Sequence, residues 1–421
     1  MHAPTKTSRR GSVRAKLLAT LFVAQVCGST GHSISMAIGS IMAAAVTGTN
    51  TWSGLPIAVG ALGTALASWP LARLMAAQGR RRGGLTLGYG LGLLGAIAGL
   101  AGVAGGSFTL MLIGMAFFGI GHTSNLLARY AAADVSPGAL RGRAMGFIVW
   151  GSTVGSFIGP NLMTAALSVG ALLGVSATAS AFLISVVGYG VAAALTTLFL
   201  RPDPLALARA SEEAVTPGAA AGPARRTAAI LADGRVQLAL AALSISQFVM
   251  ISTTSTSPLY LHDHGHAVGT IGLAVALHLA GMYVASPLSG WLADRFGRMP
   301  VIGAGALLLI GAVALAGLAP ATATGVVIFA LALNGVGWNL AFVSASALLT
   351  DALSPAERAS VQGGADLLMG LMGAIGSAVG GMILGIWGFA TLNAVGAALV
   401  LVPLAVGLLR RPAPAPLASR G

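Results

Sequence analysis

The stretch that decides the fold is GWLADRFGRMP, residues 290–300, which sets three charges between two long apolar runs. Asp294, Arg295 and Arg298 fall within five positions, although only 8% of the 421 residues are charged. Hydrophobic residues make up 56% of the chain, and its mean hydropathy is +0.87. A water-soluble protein of this size needs more charged residues to cover its surface. The composition therefore predicts a membrane protein.

Apolar runs on both sides of this stretch are long enough to cross a bilayer as helices, which takes about 20 residues. Six lie in the first half of the chain and six in the second. They run over 17–46, 55–75, 84–103, 110–128, 144–166 and 177–200, and then over 236–261, 268–292, 301–318, 325–349, 360–384 and 386–409. The sequence therefore predicts an all-α integral membrane protein with twelve transmembrane helices in two six-helix bundles.

The positions of the basic residues predict the topology. Lys and Arg lie before the first span, in or beside alternate loops and after the last span, whereas the other six loops contain neither. Because cytoplasmic loops carry the excess of Lys and Arg, we expect a multi-pass protein of the bacterial inner membrane with both termini in the cytoplasm. This pattern also explains the formal net charge of +13 without a nucleic-acid partner.

One long break in hydrophobicity divides the spans six and six. Residues 201–234 are rich in Pro, Gly, Ala and charge, which is typical of a linker. We therefore expect a basic cytoplasmic tail at 1–16, a first bundle at 17–200, a cytoplasmic linker at 201–234, a second bundle at 235–411 and a cytoplasmic tail at 412–421.

Charged and glycine positions recur between the two halves at nearly constant spacing. Asp134 and Asp351, Arg141 and Arg358, and Gly146 and Gly363 are each 217 residues apart, and Gly79-Arg80 and Gly297-Arg298 are 218 apart. A duplicated half is typical of secondary transporters. The repeat therefore predicts that the two bundles are pseudo-symmetric.

The segment GWLADRFGRM resembles the loop motif of the major facilitator superfamily, Gly-x-x-x-Asp-Arg-x-Gly-Arg-Lys/Arg. The resemblance implies the major facilitator fold, transport by alternating access, and a cytoplasmic charge network that breaks as the halves rock. For this cytoplasmic gate we expect Asp294, Arg295, Arg298, Asp351, Arg358, Asp134, Arg141 and Arg80. A simpler role as charges that anchor the inner ends of the helices stays open.

The first-half copy of the motif departs from the family pattern. Ala72, Ala76 and Ala77 stand where the leading glycine, the aspartate and its arginine would fall. We expect Arg80 to reach Asp134, and we expect a weaker gate on this side.

The fifth span contains GSTVGSFIGPN, in which glycine recurs every four residues before a proline. Gly151, Gly155 and Gly159 lie on one helical face and permit close packing, and Pro160 predicts a kink. The stretch resembles the Gly-x-x-x-Gly-Pro motif of the family's proton-coupled drug antiporters, without its trailing Gly-Gly. A tightly packed, bent helix in any transporter of this fold is the alternative.

Polar residues within four spans are the candidates for a substrate cavity, because the family resemblance implies a cavity lined by spans one, four, seven and ten. They are Gln25, His32, His122, Asn125, Gln247, Asn334, Trp338 and Asn339. Polar groups are costly in lipid unless they are paired or hydrated. Each of them can instead form a hydrogen bond between helices.

Titratable residues within the spans are sparse, and none in the first-half spans is a carboxylate. The candidates for proton coupling are therefore His122, which we favour, His32 and Asp366, since imidazole exchanges protons near neutral pH. We expect a wet cavity beside His122 and a loop arginine as the partner of Asp366. Arg129, at the cytoplasmic end of the fourth span, is a further ionisable group, and an anchor that snorkels to the surface is the equal alternative for it.

We therefore expect a proton-coupled exporter of a small amphipathic molecule that acts as a monomer in contact with membrane lipid. The chain has no phosphate-binding Gly-x-x-x-x-Gly-Lys motif, and we expect no cofactor and no metal; HDHGH at 262–266 is interpreted as a solvated turn. The alternatives are an importer or uniporter of a neutral nutrient, a membrane enzyme built from His122 or His278 with a serine of the seventh span, and a receptor.

Overall fold

The computed structural model describes residues 6–48, 52, 55–215, 226–266, 268–320 and 322–409, and in these ranges it contains helices and no strand. Long apolar segments form helices because lipid offers no partner to a backbone N–H or C=O group. An α-helix satisfies these groups within one segment, so each apolar run can fold locally.

The first half of the chain forms seven α-helices and one 3-10 turn in its described part. They are α1 (Lys6–Thr47), α2 (Leu55–Gln78), α3 (Arg81–Ala104), α4 (Phe108–Asp134), the 3-10 turn Gly138–Leu140, α5 (Arg141–Asn161), α6 (Met163–Leu172) and α7 (Ala177–Phe199). The predicted fifth span is broken, because α5 and α6 meet at a bend of 55°. The linker contains two short helices, α8 (Pro204–Val215) and α9 (Thr227–Ala232).

The second half forms six α-helices in the described ranges. They are α10 (Gly234–Asp263), α11 (Val268–Tyr283), α12 (Ser286–Phe296), α13 (Arg298–Leu318), α14 (Thr324–Ala352) and α15 (Pro355–Leu409). The predicted eighth span is divided between α11 and α12. The predicted eleventh and twelfth spans are joined in α15, whose helical path is interrupted at Gly388 with φ 83°.

The helices account for the twelve predicted spans. Ten described helical segments, or eleven when α5 and α6 count as one bent span, are long and apolar enough to cross a membrane. One of the ten is α15, and its 55 residues with the break at Gly388 are sufficient for two spans. The prediction of an all-α membrane protein with twelve spans is confirmed.

The chain divides into two compact units, Met1–Gly222 with Pro355–Gly370, and Pro223–Ser354 with Leu371–Gly421. In the first unit α1 packs against α5 and α7, and α3 packs against α4 and α7. Glycine permits these approaches: a Cβ on Gly92 would lie 2.7 Å from the Cα of Gly121. In the second unit α14 packs against α10, α11 and α13. The predicted domain boundaries stay a prediction.

Candidate functional site

The glycines of the fifth span face α1 at close range. A Cβ on Gly155 would lie 2.5 Å from the carbonyl oxygen of Val26, and one on Gly159 would lie 2.7 Å from that of Thr30. A Cβ on Gly151 would be 3.1 Å from the side chain of Gln25. The face predicted from the four-residue spacing therefore forms the α1–α5 contact, where larger side chains cannot fit.

Two further predictions concern the same pair of helices. Pro160 lies in the last turn of α5, just before the bend into α6, and its side chain is outside the described part. Gln25 donates from Nε2 to Ser152 Oγ at 2.8 Å, so its amide joins α1 to α5. Its Oε1 is buried without a hydrogen-bond partner among the described residues.

The two histidines predicted from α1 and α4 stack on each other. The ring centroids of His32 and His122 are 3.8 Å apart with an interplanar angle of 11°. His32 also stacks on Phe118 at 5.4 Å, and its Nδ1 lies 3.5 Å from the hydroxyl of Tyr189. The Nδ1 of His122 is buried with no hydrogen-bond partner in the described ranges. The sequence offered both histidines but gave no sign of Phe118 or Tyr189 as their neighbours.

Asn125, one helical turn from His122, makes contacts between helices. Its Oδ1 accepts a hydrogen bond from the hydroxyl of Tyr89 at 2.9 Å, and its Nδ2 donates to Ser29 Oγ at 3.3 Å. The side chain is 2% exposed. The amide thus joins α1, α3 and α4, which is the alternative that the sequence left open, and the wet face expected beside His122 is not formed at this residue.

A buried ion pair joins α4 to the first part of α15 within the first unit. The NH2 group of Arg129 lies 2.5 Å from Asp366 Oδ1, and the two side chains are 1% and 0% exposed. The hydroxyl of Tyr130 donates to the same carboxylate oxygen at 3.2 Å, while Oδ2 is buried without a partner among described residues. The interpretation of Arg129 as a snorkelling anchor is wrong, and so is the expected loop-arginine partner for Asp366.

A second buried cluster of the first unit surrounds Asp134, at the end of α4. Arg81 Nε lies 2.8 Å from Asp134 Oδ2, and Arg358 NH1 lies 3.3 Å from Oδ1. Arg81 also donates to Gln362 Oε1 at 2.5 Å. The expectation that Arg80 reaches Asp134 is wrong: Arg80 is the exposed N-cap of α3, and the next residue turns inward.

Asp203 in the linker caps the loop between α2 and α3, which is the first-half loop that lacks the aspartate of the family motif. Asp203 accepts hydrogen bonds from the backbone N–H groups of Arg81, at 3.0 Å, and Arg82, at 2.9 Å. It also accepts from the N–H of Leu205 at 2.9 Å, in the first turn of α8. The sequence reasoning missed Asp203, although an aspartate just before a helix-initiating proline is an N-cap signal.

The second unit contains the copy of the charged loop that keeps its aspartate. Arg298 Nε lies 3.1 Å from Asp351 Oδ2, and Arg298 NH1 also pairs with Asp294. Gly297 connects α12 to α13 with φ 94°, a conformation that favours glycine. Arg295 is exposed in the last turn of α12. Of the other predicted gate residues, Arg358 bonds Asp134, and Arg141 is the first residue of α5.

Two candidate cavity residues of α14 have defined partners in the second unit. Trp338 Nε1 donates to Gln247 Oε1 at 2.8 Å, which connects α14 with α10. Asn339 accepts from Ser289 Oγ at 2.5 Å and donates to Ser286 Oγ at 2.8 Å and to the Met282 carbonyl at 2.6 Å. Asn339 therefore forms hydrogen bonds with polar groups at the break between α11 and α12.

Asn334 differs from both. It is 1% exposed, and neither its Oδ1 nor its Nδ2 has a hydrogen-bond partner in the described part of the chain. A buried amide with both atoms unpaired requires an explanation, because native structures pair almost all such groups.

His264, His266 and His278 each have a partner within the described part of the chain. His278 Nδ1 lies 2.9 Å from the Leu331 carbonyl oxygen, and its Nε2 lies 3.2 Å from Thr254 Oγ1. The hydroxyl beside His278 thus belongs to a threonine, whereas the enzyme alternative requires a serine of the seventh span there. In the HDHGH stretch, His264 Nδ1 lies 2.7 Å from the Tyr260 carbonyl oxygen, and the side chain of His262 is outside the described residues. Among the described residues no group of three or more His, Cys, Asp or Glu can hold a metal ion.

The sequence profile of the Major Facilitator Superfamily matches residues 21–267 and 240–421. The chain belongs to the major facilitator superfamily. It is 31% identical over 407 residues to YddS, an MFS-type transporter of Bacillus subtilis (strain 168), with 96% of this chain and 93% of YddS covered.

Two further comparisons show how widely this major facilitator fold is shared. The chain is 30% identical over 397 residues to the riboflavin transporter RfnT of Brucella anthropi, covering 92% of this chain and 94% of RfnT. FucP, the fucose:proton symporter of E. coli, matches with a TM-score of 0.71 and 17% identity over 94% of this chain and 99% of its own. Membership establishes that the protein is a multi-pass membrane protein and a secondary transporter of small molecules rather than an enzyme.

Proposed function

We propose that this major facilitator protein exports a small amphipathic molecule in exchange for protons, and that His32 and His122 carry the proton. The observation that carries the proposal is the stack of the two imidazole rings, 3.8 Å apart, between α1 and α4. Imidazole is the side chain that exchanges protons near neutral pH without a large perturbation. The apolar runs of the first half contain no carboxylate, and the buried carboxylates beside α4, Asp134 and Asp366, are paired with arginines.

The geometry of the stack favours one transported proton per pair. Two imidazolium rings at this distance would repel strongly in a region of low dielectric constant, so the pair accommodates one positive charge more readily than two. The unpaired Nδ1 of His122 provides a position where a proton can be bound. A substrate that approaches the charged pair would displace that proton, which couples the two movements.

Export is supported by the glycine face of α5. Gly151, Gly155 and Gly159 resemble the antiporter motif and bring α5 against α1, the helix that carries His32. Movement of α1 against α5 is thus limited by contact with the α1 backbone, which cannot adapt as side chains can. We also propose a location in the bacterial inner membrane with both termini in the cytoplasm, which the distribution of Lys and Arg supports. We propose that the protein transports as a monomer.

The buried and half-buried ion pairs are proposed as the cytoplasmic gate. Arg81 and Arg358 share Asp134, and Arg298 is shared by Asp294 and Asp351. Asp203 replaces the carboxylate that the first-half loop lacks, because it binds the backbone of that loop. We therefore expect the gate to be stronger on this side than the missing motif aspartate suggests.

A second candidate function is transport of a neutral aromatic nutrient such as riboflavin. It is favoured by the full-length similarity to RfnT. The missing trailing glycines of the fifth-span motif agree with this alternative. The two candidates differ in whether proton movement accompanies the substrate and in its direction.

The test is proton movement in proteoliposomes that contain the purified protein and a trapped pH dye. Small amphipathic compounds and neutral nutrients are added to wild-type protein, to His122→Ala and to His264→Ala. His264 is the matched control, because the same side chain is removed from an exposed position.

Substrate-dependent proton movement that is lost in His122→Ala and kept in His264→Ala is the expected result. Substrate movement without any proton signal would contradict coupling and favour the nutrient carrier. Binding without movement of either would point to a receptor.

A further inference from the structure

We propose that Asn334 and Trp338, whose indole is held in place by Gln247, recognise a planar, uncharged heteroaromatic ring that bears a lactam or imide edge. This inference rests on the proposed function, because it names the class of substrate that the transporter carries. It starts from Asn334, whose buried amide lacks partners for both its donor and its acceptor among the described residues.

Asn334 is unlike the other buried asparagines that the structure describes. Asn125 and Asn339 use both ends of their amides between helices. Asn393 donates to the Phe389 carbonyl oxygen at 2.8 Å and accepts from Thr253 Oγ1 at 3.3 Å. Hydrogen bonds within the protein offset the cost of burying these three amides. The cost of burying Asn334 is offset if a bound molecule completes its hydrogen bonds.

The amide of asparagine defines the chemistry of that molecule. Its N–H donor and its carbonyl acceptor lie side by side in one plane, so their complement is an adjacent acceptor and donor in one plane. Protein amides read adenine by such a two-bond contact. A ring lactam or imide, with C=O next to N–H, presents the same complementary edge.

An aromatic platform lies one helical turn away on the same face of α14. Trp338 follows Asn334 by four residues, and Phe342 follows Trp338 by four, so the three share a face. The rings of Trp338 and Phe342 stack with centroids 4.6 Å apart and an interplanar angle of 11°. A flat ligand that bonds to Asn334 can extend over the neighbouring indole, where offset stacking is favourable.

Gln247 holds this platform in place. Its Oε1 accepts the Trp338 indole N–H at 2.8 Å, and a Cβ on Gly373 of α15 would lie only 3.2 Å from its Nε2. Tyr283 packs edge-on against the indole with centroids 6.2 Å apart. The indole is therefore oriented before a ligand arrives, and none of these side chains is charged, which suits a neutral ring.

Asn334 is 1% exposed, so a ligand reaches it in a state of the transport cycle in which the helices around α14 separate. Because the ligand's imide N–H and the Asn334 amide form one contact, loss of either should have the same effect on binding.

The experiment measures binding to the full-length protein in detergent by quenching of ligand fluorescence. The probes are lumiflavin, a neutral tricyclic imide, and 3-methyllumiflavin, whose imide N–H is replaced by a methyl group. The variants are Asn334→Leu, Trp338→Leu and, as a matched control, Asn393→Leu. Thermal stability of every variant is measured in parallel.

We expect wild-type protein to bind lumiflavin at least about tenfold more tightly than 3-methyllumiflavin, the loss typical of a two-bond contact. Asn334→Leu should abolish this preference without lowering the melting temperature, because it removes an amide that has no hydrogen-bond partner in the described ranges. Trp338→Leu should weaken both probes equally. Asn393→Leu should lower the melting temperature and keep the preference.

Equal affinity of wild-type protein for the two probes, absence of binding, or an unchanged preference in Asn334→Leu would each overturn the inference. A lower melting temperature in Asn334→Leu would also overturn it, because it would assign the amide to the fold. Proton movement driven by any other compound would leave the proposed function standing in each of these cases.

Discussion

Removal of one partner from the ion pair between Arg129 and Asp366 should be among the most destabilising single substitutions in the first unit. In Asp366→Asn the carboxylate charge is lost, while Arg129 stays 1% exposed and loses the anion that lies 2.5 Å from its NH2 group. Removal of one partner of a buried pair costs about 3–5 kcal/mol. Arg129 still donates to the Tyr130 hydroxyl at 2.9 Å and to the Leu126 carbonyl oxygen, so we expect the lower end, about 3 kcal/mol.

The double variant Arg129→Met with Asp366→Leu should cost less than Asp366→Asn alone. It removes both charges together, and replacing a buried pair with apolar side chains is often close to neutral. The free energy of unfolding is measured by SDS titration of the purified protein in mixed micelles, followed by circular dichroism. The control is Asp233→Asn, because Arg235 is 43% exposed in its pair with Asp233 and such pairs contribute about 0–1 kcal/mol.

Two results would refute this reasoning. A cost below about 1 kcal/mol for Asp366→Asn would place this pair in the class of exposed pairs. A double variant less stable than the single one would show that the two charges are not compensating each other.

Three further variants test individual contacts. Arg81→Gln should lower thermal stability in detergent and Arg80→Gln should not, because Arg81 holds Asp134 while Arg80 is exposed; equal effects would contradict the assignment. Gly155→Leu should prevent folding or reduce transport by more than tenfold, since it meets the α1 backbone, whereas Gly90→Leu, with no atom within 4 Å of its Cβ position, should be tolerated. Asp203→Ala should cost about 1 kcal/mol in the same SDS titration, the usual contribution of a helix cap; no change would show that the α3 cap is dispensable.

The helices could be predicted from the sequence because hydropathy is a local property. The apolar runs identified the spans, and Pro160 indicated the bend between α5 and α6. The division of the eighth span was not predicted, because Ser286, where α12 begins, lies within a continuous apolar run. The Ser286 hydroxyl accepts a hydrogen bond from Asn339, 53 residues away, and hydropathy does not record such distant partners.

The candidate site could be predicted only in part, because the contacts depend on the rotation of each helix. His32 and His122 were found from their residue type, but their stacking could not be deduced from two separate spans. Arg81, and not Arg80, binds Asp134, because Arg80 is the extended, exposed N-cap residue and Arg81 is the first, buried residue of α3. Arg129 and Asp366 are 237 residues apart in the chain, and only the packing of α4 with the first part of α15 makes them partners.

The measurement that most directly tests proton-coupled export is substrate uptake into proteoliposomes under an imposed pH gradient. An exchanger moves substrate inward as protons leave, so an acidic interior should drive accumulation above the external concentration. This accumulation should vanish in His122→Ala, persist in His264→Ala and collapse when nigericin dissipates the gradient. Accumulation that requires an acidic exterior, or mere equilibration under either gradient, would contradict the account.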